Sequence, residues 1–214
     1  MTRKALALLL PALLAGLAGC SALRALAYYL SPPQIQKAAY KLTEGRLAIV
    51  IDYAHAEDEN PVFSRRLHDA ITGLFRDHKV KSQVISFDDV LSLRQVNRDY
   101  SSWTIQRIGR ELEADEVLYL RVTRLQFQEE PGHPVVAASA ALGVKVIGTQ
   151  QDEAHARLWP EERDGKSVTC SRPPLEAARE TIDIEAAKLA TDTSHFVGGF
   201  FYDTDLEEKP PKER

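Results

Sequence analysis

Sulfur is scarce in this 214-residue sequence, with two cysteines (Cys20 and Cys170) and one methionine. Two thiols cannot build a disulfide framework. A surplus of positive charge is missing too: 27 Lys and Arg stand against 31 Asp and Glu, a formal charge of −4. That balance gives the chain no electrostatic reason to seek nucleic acid or anionic lipid. Long apolar runs are absent apart from Ala5 to Leu17, which is too short to span a bilayer as a folded anchor. Neither a Gly-x-Ser-x-Gly elbow, a P-loop nor a dinucleotide fingerprint occurs. The common nucleotide and acyl-transfer chemistries therefore have no signature here.

What the start of the chain does contain is a basic pair, Arg3 and Lys4, then the apolar run, then Leu17-Ala18-Gly19-Cys20. This is the layout of a secretory signal, and the last four residues resemble the lipobox of bacterial lipoproteins. The resemblance implies a diacylglyceryl thioether on Cys20, cleavage before it and acylation of the new amino end. Residues 1–19 are then the signal peptide. Each buried methylene contributes about 0.8 kcal/mol and one chain gives only reversible attachment, so three chains on one cysteine fix the protein to a membrane. Ser21, where aspartate would by the same resemblance retain the protein in the inner membrane, points to the outer membrane facing the periplasm. With Cys20 consumed by lipid, no intramolecular disulfide is left. Cys170 reads as a half-buried strand residue, because Arg172 is its only close cation and no histidine is near.

Residues 20–44 form the lipidated start and a tether, broken at Ser31-Pro32-Pro33, and 204–214 form a disordered charged tail. Residues 45–203 carry one α/β domain, a single sandwich with a mixed sheet. Arg46 to Tyr53 is a compact apolar run suited to a strand covered on both faces. Asn60-Pro61 caps a helix whose Phe63, Leu67, Ala70, Ile71, Leu74 and Phe75 recur at spacings of three and four. A strand at Gln83 to Phe87, a helix capped by Asp88 or Asp89, a helix from Trp103 to Leu112 behind Ser101-Ser102, and a long strand from Glu116 to Gln128 follow. The later part reads as antiparallel. A strand spans Val135 to Thr149, and Ala154–Trp159 and Ser167–Cys170 are joined across an Asp164-Gly165 turn. Pro173-Pro174 then introduces a last helix from Leu175 to about Ala190 or Phe196, and Gly198-Gly199 stops it.

Gly45 to Val50 opening a strand, Ile108 to Asp115 running into Val117-Leu118-Tyr119, and Trp159 closing a later strand together resemble a periplasmic α/β domain. It is the domain shared by the TolB amino-terminal domain, the curli-secretion lipoproteins and the LpoB-type lipoproteins. With the ending Phe196-Val197 to Phe201-Tyr202-Asp203, the whole chain resembles uncharacterised lipoproteins of planctomycete-type bacteria. The resemblance implies an envelope lipoprotein whose domain binds other proteins. The sequence offers neither the long membrane-inserting hairpins of a curli-type pore nor a propeller pattern after the domain, so a secretion channel is not the expectation.

The best ligand loop is Asp52-Tyr53-Ala54-His55-Ala56-Glu57-Asp58-Glu59, because it follows the first strand, where open α/β sheets place ligands. Asp52, His55, Glu57 and Asp58 have the chemistry to hold a hard or borderline metal. A phosphatase Asp-x-Asp does not follow the strand, however, and no second histidine stands at helical spacing from His55. A solvated acidic loop is the simpler expectation, with no cofactor and no metal. The remaining histidines are scattered: His68 and His78 lie off each other's face of one helix, His133 sits in a turn, His155 in a strand and His195 at a helix end. Trp103 reads as core, and Trp159, beside Pro160, offers an interface anchor. The leading expectation is a non-enzymatic, lipid-anchored protein-interaction or assembly module with an envelope protein as partner. An auxiliary lipoprotein of a lipid transporter and a metal-dependent hydrolase are the alternatives.

Overall fold

The computed structural model describes residues 35–127, 135–136, 138–152, 154–173, 175–176 and 182–205. The signal segment, Cys20, His133 and the charged tail beyond Asp205 lie outside the described residues. In chain order the elements are β1 (Ile35–Gln36), β2 (Arg46–Tyr53), α1 (Pro61–Asp77), β3 (Gln83–Val84), α2 (Phe87–Val96), α3 (Ile105–Glu111) and β4 (Glu116–Gln126). They continue with β5 (Val135–Val136), β6 (Ser139–Gly148), β7 (Arg157–Trp159), β8 (Lys166–Ser171), β9 (Leu175–Glu176), α4 (Ile182–Gly198) and β10 (Thr204–Asp205). Among the described residues, no helix is long and apolar enough to cross a membrane.

In β2, Leu47 and Ile49 point to one side and Ala48 and Val50 to the other, and all four are buried. The expected two-faced strand is therefore present, and it pairs in parallel with β3 and β4. β4 pairs antiparallel with β6, giving a mixed sheet in the order β3-β2-β4-β6-β7 with β8 also on β6. One face meets α1 and α4: Phe63, Leu67, Ile71 and Phe75 pack with Leu118, Leu120, Ala186 and Leu189. Across the sheet, Val90, Ile108 and Leu112 of the α2 and α3 regions pack on Ala48, Val50, Val117 and Tyr119. Gly109 lets α3 lie directly on the sheet, since a Cβ there would come within 2.4 Å of Thr149 and 2.5 Å of Val117.

Caps fix where the helices begin. The Asn60 side chain accepts from the Phe63 amide at 2.9 Å, with Pro61 in the first turn. The second helix is capped by Ser86, which accepts from the Asp89 amide at 3.1 Å, so Asp88 and Asp89 are first-turn residues rather than caps. Thr104 caps α3, because Tyr100–Ser102 is a separate 3-10 turn.

Three expectations are corrected. The segments around Trp159 and Cys170 do not form a hairpin: β7 and β8 both pair antiparallel with β6, at Val146–Ile147 and at Ser139–Val144. They are one edge strand interrupted by residues 160–165, and Gly165, with φ +89°, turns the chain back into the ladder. The long strand expected from Val135 is two, because Val135–Val136 leaves the main sheet to pair with Leu175–Glu176. That pairing occupies the backbone from which the last helix was expected to start; α4 is described over Ile182–Gly198, and burial of Thr193, Ser194 and Val197 carries it to its end. Its inner face is tied to the end of β8 by Arg172, which bonds Glu185 at 3.2 Å and also pairs with Asp192.

The compact unit runs from Lys37 to Asp203. The chain enters it before Gly45, since Tyr40 and Leu42 pack on the core and the Thr43 amide donates to the buried Glu116 at 3.0 Å. A second unit holds Ile35–Gln36 paired antiparallel with Thr204–Asp205, so ordered strand reaches into the tether at one end and the expected tail at the other.

Replacing Leu67, which is fully buried, by alanine is expected to cost about 2–5 kcal/mol. Val96→Ala, at a residue 80% exposed, is expected to fall within about 0.5 kcal/mol of the parent. Urea unfolding of the two variants measures the contrast.

Candidate functional site

Helices cover the second face of the sheet unevenly, and two features result. The first is a cavity of about 300 Å³ at the carboxyl end of β2, between that strand, the start of α1, α2 and the turn leading to α3. Val50, Val90, Leu91 and Ile108 give it apolar walls, with the rings of Phe87, Tyr100, Trp103 and Tyr119 around them. This is where an open α/β sheet places ligands. Only Val90 of α2 is buried, so the helix is held at its ends by ion pairs. Arg65 bonds Asp88 at 2.7 Å, and Arg94 bonds both oxygens of Glu59 at 2.9 and 3.2 Å.

Asp52 stands at the cavity mouth and accepts a hydrogen bond from the Tyr119 hydroxyl at 2.8 Å. Burial, then the bond to this carboxylate, pushes the Tyr119 phenol above its ordinary value. Tyr100 is pushed up to about 12, first by burial and then by Asp52, with Arg94 opposing. Both phenols stay protonated at neutral pH. Tyr53 points elsewhere, sharing a 2.7 Å bond with Ser64.

Of the four expected ligands Asp52, His55, Glu57 and Asp58, Asp52 alone lines the cavity. His55 and Glu57 are exposed around the 3-10 turn Ala56–Asp58, Asp58 is half-buried, and none of the three lines the cavity. Glu59, at the end of that run, does line it. Among the described residues, no three His, Cys, Asp or Glu side chains converge as a metal-binding group. His155 sits in a turn against Asp152, 2.7 Å away, rather than in a strand. Cys170 is buried on the first core, and burial pushes its thiol up, away from reactivity. Trp103 is half-buried; its indole N–H donates to Asp99 at 2.8 Å and Arg107 lies 4.0 Å from the ring centre. Trp159 is half-buried among Tyr40, Phe200 and Phe201.

No family model matches this sequence, and no curated protein does. Among solved structures the chain is similar to the PelC dodecamer from Paraburkholderia phytofirmans, with a TM-score of 0.41 and 11% identity over 80% of this chain and 99% of that one. It is similar to lipoprotein GNA1162 from Neisseria meningitidis at 0.40 and 11%, over 72% and 96%. Protein XCC0632 from Xanthomonas campestris gives 0.46 and 13%, over 78% and 88%. Overlaps of this size concern the run of the backbone, and no activity or partner passes from them to this chain.

The second feature is the part of the same sheet face that α2 and α3 leave bare. Beyond Tyr119 and Ile147, its side chains include Arg121, Thr123, Ala141, Gly143, Lys145, Ser167 and Thr169, all half-buried or exposed. Strand register puts Arg121 opposite Gly143 and Arg157 opposite Ile147, so Lys145 lies diagonally between two arginines. Burial and the neighbouring Arg157, Arg121 and Arg163 hold the Lys145 amine below its ordinary value, and Asp164 opposes them. Among the described residues, Arg121, Lys145 and Arg163 make no ion pair. Overall acidity hid this patch from sequence reading. Alternation in β4 and β6 carried the signal, but only the pairing of the strands brings the charges together.

His68 joins α1 to the segment before α2 without serving either feature. Its Nε2–H donates to the Ile85 carbonyl at 3.1 Å, and the ring meets Phe87 edge-on at 5.5 Å. Burial lowers its pKa from the ordinary 6.5, with the carbonyl bond and Asp69 opposing. The folded ring thus stays neutral where the unfolded one takes up a proton. Its share of stability is complete above about pH 6.5 and is lost as pH falls below that value, through the lower pKa of the folded ring. Unfolding free energy measured from about pH 7 down to about pH 5 is expected to decline, and His68→Asn to flatten that part of the slope.

Proposed function

We propose that the chain is a lipid-anchored, non-enzymatic module of the cell envelope, docking an acidic partner protein through the bare face of its sheet. The observation that carries this reading is the cationic patch of Arg121, Lys145, Arg157 and Arg163 on a chain whose formal charge is −4. Ala141, Ser167 and Thr169 keep its surroundings low, and the Asp164 backbone closes over Gly143 within it. Complementary charge raises the encounter rate and selects the partner. The lipobox-like Leu17-Ala18-Gly19-Cys20 supplies the anchor in this reading, and Ser21 favours the outer membrane facing the periplasm. Anchoring confines the domain to a surface, where modest affinity suffices. Likeness of the strand and helix junctions to TolB-type and LpoB-type domains supports the same assignment.

The two alternatives draw on less. A carrier of acyl chains would use the cavity, which at about 300 Å³ lies at the small end of ligand sites. A metal-dependent hydrolase would need His55, Glu57 and Asp58 to converge with Asp52, and they stay on the turn.

Photo-crosslinking in membranes at native expression tests the proposal with the parent chain, Cys20→Ala, and the double variant Arg121→Glu, Lys145→Glu. A partner captured by the parent is expected to fall by about tenfold or more with reversed charge, and to fall when the anchor is removed. Equal capture by the parent and the charge-reversed chain would contradict the docking face.

A further inference from the structure

The docking reading leaves the cavity beneath α2 unused, although Val50, Val90, Leu91 and Ile108 give it apolar walls. Its volume, about 300 Å³, admits a ring with a short arm. Charge at the mouth decides what that arm carries. Both cations there are already neutralised, Arg65 by Asp88 and Arg94 by Glu59. Asp52 is the carboxylate left over. Only one of its oxygens is engaged, by the neutral Tyr119 hydroxyl, and among the described residues it makes no ion pair, its register partner Arg121 included.

The rings point the same way. Phe87 and Trp103 already carry a guanidinium each, Arg65 at 4.8 Å and Arg107 at 4.0 Å. Tyr100, half-buried beside Asp52, has no cation over it and no hydrogen-bond partner for its hydroxyl among the described residues. A ligand that donates to Asp52 and lays its positive end against Tyr100 satisfies both groups at once. An anionic ligand would instead meet a bare carboxylate, with both arginines that line the cavity committed elsewhere.

We propose that this cavity binds a small organic ammonium compound, a protonated amine on an apolar body about the size of one ring, with Asp52 as its counter-ion. Tyr119 is the positioning residue that orients the carboxylate. Binding here does not involve the bare sheet face, so the site stands or falls separately from the docking of a partner.

Calorimetric titration of the purified full-length chain with three isosteric probes provides the test: phenethylamine, phenethyl alcohol and hydrocinnamate. The amine is expected to bind at least about tenfold more tightly than the alcohol, and the carboxylate not at all. Asp52→Asn, at an exposed strand end, is expected to bring the amine down to the level of the alcohol with the circular dichroism unchanged. Leu91→Trp, which fills the cavity from α2, is expected to abolish binding of both. The proposal is overturned if the alcohol or the carboxylate binds as well as the amine, if Asp52→Asn leaves the preference intact, or if none of the three probes binds.

Discussion

β4 is the strand on which both cores rest. Val117, Leu118, Leu120 and Val122 are fully buried, with Leu118, Leu120 and Val122 facing α1 and α4, and Val117 with Tyr119 facing α2 and α3. One strand hydrogen-bonded in parallel to β2 and antiparallel to β6 is thus apolar on both faces over its first half. Each fully buried side chain of this kind contributes about 1.5–3 kcal/mol. A polar residue at any of these positions would damage the layer of packing that it faces. Glu116, buried at the head of the strand, is tolerated because the Tyr40 hydroxyl and the Thr43 amide both donate to it.

Past Tyr119 the strand changes, and so does its role. Alternation takes over, with Val122 and Leu125 still inward and Arg121, Thr123 and Arg124 outward. The helices of the second layer are short and stop before this region, whereas α1 and α4 run the length of the first layer. Unequal coverage leaves a cavity where α2 bridges the sheet loosely and a charged face that no helix bridges. The larger core therefore lies on one side of the sheet, and the cavity and the charged face lie on the other, beside the smaller core.

Much of this was legible in the sequence. The four-residue recurrence of Phe63, Leu67, Ile71 and Phe75 and the Asn60-Pro61 cap describe α1 as it stands. The apolar run in β2 identified a two-faced strand. Non-local pairing was not legible. Asp164-Gly165 looks locally like a hairpin turn, but β6 is long enough to accept both flanking segments along one edge. Leu175 begins a helical pattern, yet its backbone pairs with Val135–Val136, far away in sequence. At the candidate site, Asp52 could be found because a strand's carboxyl end is a known place for ligands. Tyr119, Tyr100 and Arg94 could not, since they come from separate elements and meet only when the sheet and its second layer assemble.

A domain that docks through one face of its sheet gains most from being held at a surface, and the proposed anchor at Cys20 is what sets the proposed function in the envelope. Intact-mass analysis of the protein extracted from its native membranes tests it most directly. The account predicts a chain that starts at Cys20 and carries a diacylglyceryl thioether with an acylated amino end. An unprocessed chain with a free sulfhydryl at Cys20, recovered from the soluble fraction, would contradict it.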